Sequence, residues 1–221
     1  AVSSNFTGAM RAIVERFEHK TEHQVTLIFG ATGKHYAQIH NGAPFDIFFA
    51  ADSIRPQRLE KEGVALPKSR FTYAFGKLVL WSPKAGYLDA GADSLSKQSF
   101  RHLALANPKL APYGKAAFEV LDYLGLRAKL SPKIVRGENI GQTFQFVKSG
   151  NAELGFIALS QIQKPGFAIE GSLWRVPEAL YTPIEQQAVV INNGLVSQQF
   201  IRFVKSDEAR EIIHGFGYST P

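Results

Sequence analysis

The sequence predicts an α/β protein with largely parallel sheets. Seven short apolar runs recur along the chain, and several are apolar at successive positions, as in strands covered on both faces. Stretches with apolar residues at helical spacing lie between them. Several places where a strand hands over to a helix are small, polar and uncharged. Alternation of strand and helix is the pattern of parallel sheets with crossover helices.

The elements follow in order. Ala1-Val2-Ser3-Ser4 reads as the later half of a strand whose earlier residues are absent, which points to processing or trimming upstream. Met10, Ile13, Val14 and Phe17 fall on one face of a helix, with Arg11, Glu15, Arg16 and Glu18 on the other. Strands are expected at Val25 to Phe29, Asp46 to Ala50, Leu78 to Trp81 and Leu103 to Ala106. A second helix begins near Gly114 and is closed by Leu121, Leu124 and Leu126, with Gly125 where a C-terminal cap belongs. Ile134-Val135 is a strand, and a third helix runs from about Gly141 to Val147 and stops at Ser149-Gly150. Leu154 to Ala158 and Ala188 to Ile191 complete the strands. Phe200, Ile201, Phe203 and Val204 mark a fourth helix, and a short last one follows Ser206-Asp207 and ends at His214.

No Gly/Ser/Pro-rich linker divides the chain, so two domains would have to be joined by extended segments. Phe71 to Lys77 and Tyr181 to Gln186 are the candidates. They place one lobe in residues 1–76 and 187–221, from both chain ends, and a second in residues 77–186.

Composition narrows the function. The 221 residues contain no cysteine, which excludes disulfide scaffolds, thiolate zinc sites and thiol catalysis. No apolar run reaches the roughly 18 residues that suggest a membrane span. The 25 Lys and Arg exceed the 19 Asp and Glu, giving +6. These charges are dispersed, and the densest stretch, Arg55 to Arg70, is interleaved with Glu60 and Glu62. With no basic recognition helix, a nucleic-acid partner is not expected. The six histidines show no metal-binding spacing on one face; His19 and His23 read as a solvated pair, and His35 and His40 fall on different faces. Asp46 and Asp52 bracket an apolar run and read as caps rather than as a catalytic pair. No Gly-x-Ser-x-Gly elbow occurs, so an enzyme is not expected.

The informative residues are the junctions Ser3-Ser4-Asn5-Phe6-Thr7, Gly30-Ala31-Thr32-Gly33, Ala111-Pro112-Tyr113-Gly114 and Glu138-Asn139-Ile140-Gly141-Gln142-Thr143. A helix start leaves backbone N–H groups unpaired and carries about half a positive charge. Converged on one cleft, such starts bind an anion through neutral groups. Any one junction alone reads more often as a plain N-terminal cap, and only the four together point to an anion site.

In these junctions the chain resembles the periplasmic molybdate-binding proteins, solute receptors of molybdate ABC importers. The resemblance covers essentially the whole chain. It is strongest in Gly30 to Gly33 with Tyr36-Ala37-Gln38-Ile39, in Asn41 to Asp52, in Tyr73 to Ser82, in Asn107-Pro108 through Gly114, in Gly141-Gln142 and in Leu154 to Leu159. It implies a periplasmic-binding-protein type II fold, with two lobes, each a mostly parallel sheet flanked by helices, joined by two crossing strands. It implies a tetrahedral dianion, molybdate and also tungstate, held by Ser4, Asn5, Thr32, the Tyr113 hydroxyl and the Ile140 N–H. One branch of the family has Tyr where this chain has Ala158, so Tyr113 is expected to supply that donor. No cofactor is implied. The expected partner is an importer permease, the expected state a periplasmic monomer freed of its signal peptide. The alternatives that the residues leave open are a receptor for sulfate or phosphate and the effector-sensing domain of a transcriptional regulator.

Overall fold

The apolar runs build two five-stranded sheets. The computed structural model describes residues 1–88, 91–97 and 99–221. In the first sheet, β1 (Val2–Ser3), β2 (Phe29–Gly30), β3 (Ile47–Phe49), β4 (Phe71–Gly76) and β10 (Ile184–Val190) stand in the order β2-β1-β3-β10-β4. In the second, β5 (Leu78–Ser82), β6 (Leu103–Ala106), β7 (Ile134–Gly137), β8 (Leu154–Ala158) and β9 (Ser172–Arg175) stand in the order β7-β6-β8-β5-β9.

Each sheet is mixed in the same way. β10 runs antiparallel to both of its neighbours, β3 and β4, and β5 runs antiparallel to β8 and β9. The remaining recorded pairings, β1 with β2 and β3 and β6 with β7 and β8, are parallel. The reversed strand in each sheet is the one the chain enters on arriving from the other sheet. It crosses once at Lys77 and returns after Tyr181-Thr182-Pro183. Ile184, Glu185 and Gln186 already pair with Gly76, Phe75 and Ala74, so the return strand joins the first sheet from Ile184 onward.

Helices cover both faces of both sheets. On the first, α1 (Thr7–Lys20), α8 (Leu195–Val204) and α9 (Asp207–Gly215) pack Met10, Ile13, Phe17, Phe200 and Ile213 against Val2, Phe49 and Val190. The four apolar positions expected of the first helix are all buried. Phe48 and Val189, alternate residues of the same strands, face α2 (Thr32–His40) and α3 (Ile54–Lys61) through Ile39 and Leu59. On the second sheet, Leu80, Leu103, Leu105 and Phe156 pack on α5 (Pro112–Tyr123), while Val79, Trp81, Ala104 and Ile157 pack on Val147 of α7 (Ile140–Lys148). Two short helices, α4 (Asp93–Lys97) and α6 (Arg127–Leu130), complete the second lobe. Burial of each such side chain contributes about 1.5–3 kcal/mol.

Element bounds differ from expectation in several places, as where β10 begins at Ile184 rather than at Ala188, and three of these differences have a plain physical reason. The run Val25 to Phe29 contributes only Phe29–Gly30 to the sheet, because β2 is an edge strand and its neighbour β1 has only two residues to pair with. The helix expected from Gly114 begins two residues earlier, since Pro112 fits a first helical turn, where no N–H is needed. α7 likewise starts at Ile140, where the Asn139 side chain accepts from Gln142 N at 2.9 Å. Gly125 has φ +66° and ends α5 as expected.

Candidate functional site

The carboxyl ends of β1, β2 and β3 in the first lobe face those of β6 and β7 in the second. This is where an open α/β sheet holds its ligand. The five expected site residues meet there. Ser4, Asn5, Thr32, Tyr113 and Ile140 all line one small cavity, with Ser3, Gly30, Ala31, Ala51, Ala111, Pro112 and Asn139 completing the wall. None of these residues carries a charged side chain. Four helix starts converge on it: the single 3-10 turn Ser4–Phe6 and the first residues of α2, α5 and α7. The backbone amides of Thr32, Tyr113 and Ile140 have no acceptor among the described residues, as first-turn amides have none within their own helix.

Each side chain has a defined setting. Thr32 Oγ1 lies 2.7 Å from Ser3 Oγ, and Ala51 N donates to both oxygens, at 3.3 and 3.1 Å. This lobe's wall is therefore tied together by its own hydroxyls. Ser4 Oγ accepts from Gly141 N at 3.2 Å, a bond between the lobes that leaves the hydroxyl proton of Ser4 free to donate. Asn5 Nδ2 donates to Gln186 Oε1 at 2.7 Å and to the Tyr218 hydroxyl at 3.0 Å, while its Oδ1 is buried without a partner among the described residues. Tyr113 is buried at the start of α5. Gly114 lets that helix start sit against the end of β6, for a β-carbon there would meet the Ala106 carbonyl oxygen at 2.3 Å.

The lobes touch around this cavity. Gly33 N donates to the Leu110 carbonyl at 2.9 Å, Ser160 Oγ donates to the Asn5 carbonyl at 2.9 Å, and Arg55 Nη2 donates to the Lys109 carbonyl at 3.0 Å. At the rim, Lys34 Nζ stands 3.5 Å from Glu138 Oε1, both exposed.

The electrostatic character is that of oriented dipoles. Burial pushes the Tyr113 and Tyr73 hydroxyls well above the ordinary tyrosine range, and Tyr218 is raised by the same cause. All three stay neutral donors at physiological pH. His35, buried beneath the Gly30-Ala31-Thr32 turn, is lowered by burial; its ring nitrogens contact the Val2 carbonyl and Gln38 Oε1 at 3.2 Å each. A neutral wall of N–H and O–H groups holds an acceptor-rich anion without a buried counter-charge, and the desolvation of a fixed ion pair is avoided.

Sequence reasoning missed the layer behind the wall. Gln186, Tyr73, Tyr218 and Ser160 meet Asn5 and Tyr113 from β10, β4, the chain end and the turn after β8. Their signal in the sequence was slight: Glu185-Gln186-Gln187 interrupts the apolar residues of the strand, and both glutamines are buried. Ala158 is buried at the end of β8 and offers no hydroxyl, whereas Tyr113 lines the cavity. The remaining polar candidates lie elsewhere. Asp52 accepts from Arg55 N at 3.0 Å, and Asp46 accepts from Asn192 Nδ2 at 3.0 Å. No group of three potential metal ligands occurs among the described residues.

The relatives share this architecture. The model of the family described as bacterial extracellular solute-binding protein matches residues 1–219. The molybdate-binding protein ModA of Azotobacter vinelandii is 51% identical over 221 residues, covering 99% of this chain and 88% of its own. ModA of Rhodobacter capsulatus is 46% identical over 224 residues, covering 100% and 87%. The solved structure of the Azotobacter vinelandii periplasmic molybdate-binding protein superposes with a TM-score of 0.96 at 43% identity, over 100% of this chain and 98% of that one. With the two-lobed fold and the relatives both spanning nearly all of its length, the chain belongs to the bacterial extracellular solute-binding protein family.

Proposed function

We propose that the chain is a molybdate receptor of an ABC importer, that it also takes tungstate, and that Ser4, Asn5, Thr32, Tyr113 and Ile140 hold the ion. One observation carries the reading: donors from both lobes, at four helix starts, surround a single uncharged cavity. Near-full-length identity of 51% to a molybdate-binding protein supports the choice of ion. The lobes are residues 1–76 with 184–221, and 77–183, the return boundary lying at 184 rather than at 187 because Ile184 to Gln186 already pair with β4, and they hinge at Lys77 and at the segment that leads into β10.

The mechanism follows from the donors. The ion first meets the amides and hydroxyls of one lobe, then the hinges turn and the other lobe's helix starts close over it. Water leaves, and each dipole acts in a drier medium, where it is stronger. Sulfate is smaller than molybdate, so the same donors would stretch and lose hydrogen-bond geometry. The receptor works as a monomer in the periplasm, freed of a signal peptide, and delivers its cargo to a membrane permease.

Titration calorimetry with molybdate, tungstate, sulfate and phosphate tests the reading. Tight binding of the first two and none of the last two is expected. Sulfate heat without molybdate heat would overturn it. Tyr113→Phe should weaken molybdate binding by about 1–3 kcal/mol if the hydroxyl donates to the charged ligand.

A further inference from the structure

Gln186 has no solvent-exposed surface and sits in β10, three residues after the chain returns to the first lobe. Its carboxamide joins two residues of the site, Asn5 and Tyr113, to Tyr73 behind the wall. Oε1 accepts from Asn5 Nδ2 at 2.7 Å and lies 3.1 Å from the Tyr73 hydroxyl. Nε2 donates to the Tyr113 hydroxyl oxygen at 3.4 Å. An amide nitrogen is a donor only, so the Tyr113 oxygen must accept here and its single proton must point elsewhere. Of the protein's own groups the Tyr218 hydroxyl competes for that proton, but its oxygen already accepts from Asn5 Nδ2, and Tyr113 lines the cavity.

We infer that Gln186 is a positioning residue of the anion site: it fixes the Tyr113 hydroxyl as a donor toward the bound oxyanion while its oxygen end anchors Asn5. The inference rests on the reading above that Tyr113 donates to the ligand. The polarity of one carboxamide thus sets the polarity of a hydroxyl in the other lobe. A residue of equal size without the N–H would leave Tyr113 free to rotate. Gln186 touches no ligand in this scheme, and its effect passes through Tyr113.

A double-mutant cycle on the full chain tests this, with molybdate as the titrant and thermal unfolding without ligand as the control. Gln186→Met should weaken molybdate binding by about tenfold when Tyr113 is intact, and by less than about threefold when combined with Tyr113→Phe, because contacting residues are not additive. If Gln186→Met fails to fold, Gln186→Glu carries the same comparison. Its oxygens keep Asn5 and Tyr73 bonded but offer Tyr113 only acceptors, so the phenolic proton turns away from the cavity. The loss should again be larger with Tyr113 intact than with Tyr113→Phe. Equal losses in both backgrounds would overturn the role of Gln186 and leave the site reading standing. Tyr113→Phe binding as tightly as the parent would instead overturn the reading of Tyr113 as a ligand donor, and the role of Gln186 with it.

Discussion

A β-carbon on Gly76 would stand 2.1 Å from the hydroxyl oxygen of Tyr113. Gly76 is the last residue of β4, directly before the chain crosses at Lys77, and Tyr113 opens α5 of the other lobe. The hinge and the site therefore share one contact. Gly76→Ala should cost about 1–3 kcal/mol by overpacking and weaken molybdate binding about tenfold or more. Combining it with Tyr113→Phe removes the nearest of three clashes, leaving Gln186 Nε2 at 2.7 Å and Tyr113 Cζ at 2.9 Å, so the double variant should unfold at a somewhat higher temperature than Gly76→Ala alone. Additive melting temperatures would show that the contact is not shared.

Thr32 and Ser3 form a hydroxyl pair beneath the Ala51 amide. Thr32→Val removes the oxygen while keeping the shape. It should weaken molybdate affinity by about 1–3 kcal/mol, whereas Thr32→Ser should stay close to the parent. Calorimetry of the three proteins side by side checks this. A Val variant that binds like the parent would mean that only the Thr32 amide serves the ion.

His35 gives stability a pH dependence. Burial lowers its pKa in the folded chain below the ordinary value near 6.5, with neighbouring positive charges, Lys34 among them, acting in the same direction. Between the two values the unfolded chain binds more protons than the folded one, so stability rises with pH in that window. It is flat above about pH 6.5 and falls as the pH drops below it. His35→Gln abolishes this contribution. Urea unfolding between pH 5 and 8 should then show a shallower acid-side loss than the parent, and parallel curves would refute a neutral buried His35.

The rim pair Lys34–Glu138 is exposed on both sides, so screening leaves it worth about 0–1 kcal/mol. Glu138→Gln should change the molybdate dissociation constant by less than about fivefold. Its effect should appear in the association rate, which rises as a carboxylate is removed from the path of a dianion and loses that gain at high salt. Stopped-flow binding at low and high ionic strength measures both.

Much of this arrangement was legible before any coordinates. Leu103–Ala106 and Leu154–Ala158 fall at the residues expected, because a strand buried on both faces must be apolar at every position. The helix-start junctions were visible as well, since first-turn chemistry is local, although α5 begins at Pro112 rather than near Gly114 and α7 at Ile140, one residue after its Asn139 cap. The edge strand at Phe29–Gly30 was overextended, because its length is set by a two-residue neighbour rather than by its own apolar run. Gln186, Tyr73 and Tyr218 were out of reach for a different reason. Gln186 and Tyr218 reach Asn5 from 181 and 213 residues away along the chain (186 − 5, 218 − 5) and Tyr73 reaches Phe6 from 67 (73 − 6), and no local pattern encodes such a meeting. The aromatic ones read as plain core, which in part they are, with Tyr73 tilted and Tyr218 edge-on against Phe6 at 4.7 and 5.2 Å between ring centroids.

The reversed strand of the first sheet fixes an order of assembly. β10 lies between β3 and β4 and is the last strand in the sequence, so those two have no strand between them until residue 184 has been made. The second sheet has all five of its strands between residues 78 and 175. A chain emerging N-terminus first therefore completes its inserted half while its outer half still holds an open slot with two unpaired edges. Those edges are the segment's hazard for mispairing during synthesis, and the arrival of a seven-residue strand closes them in a single long-range step.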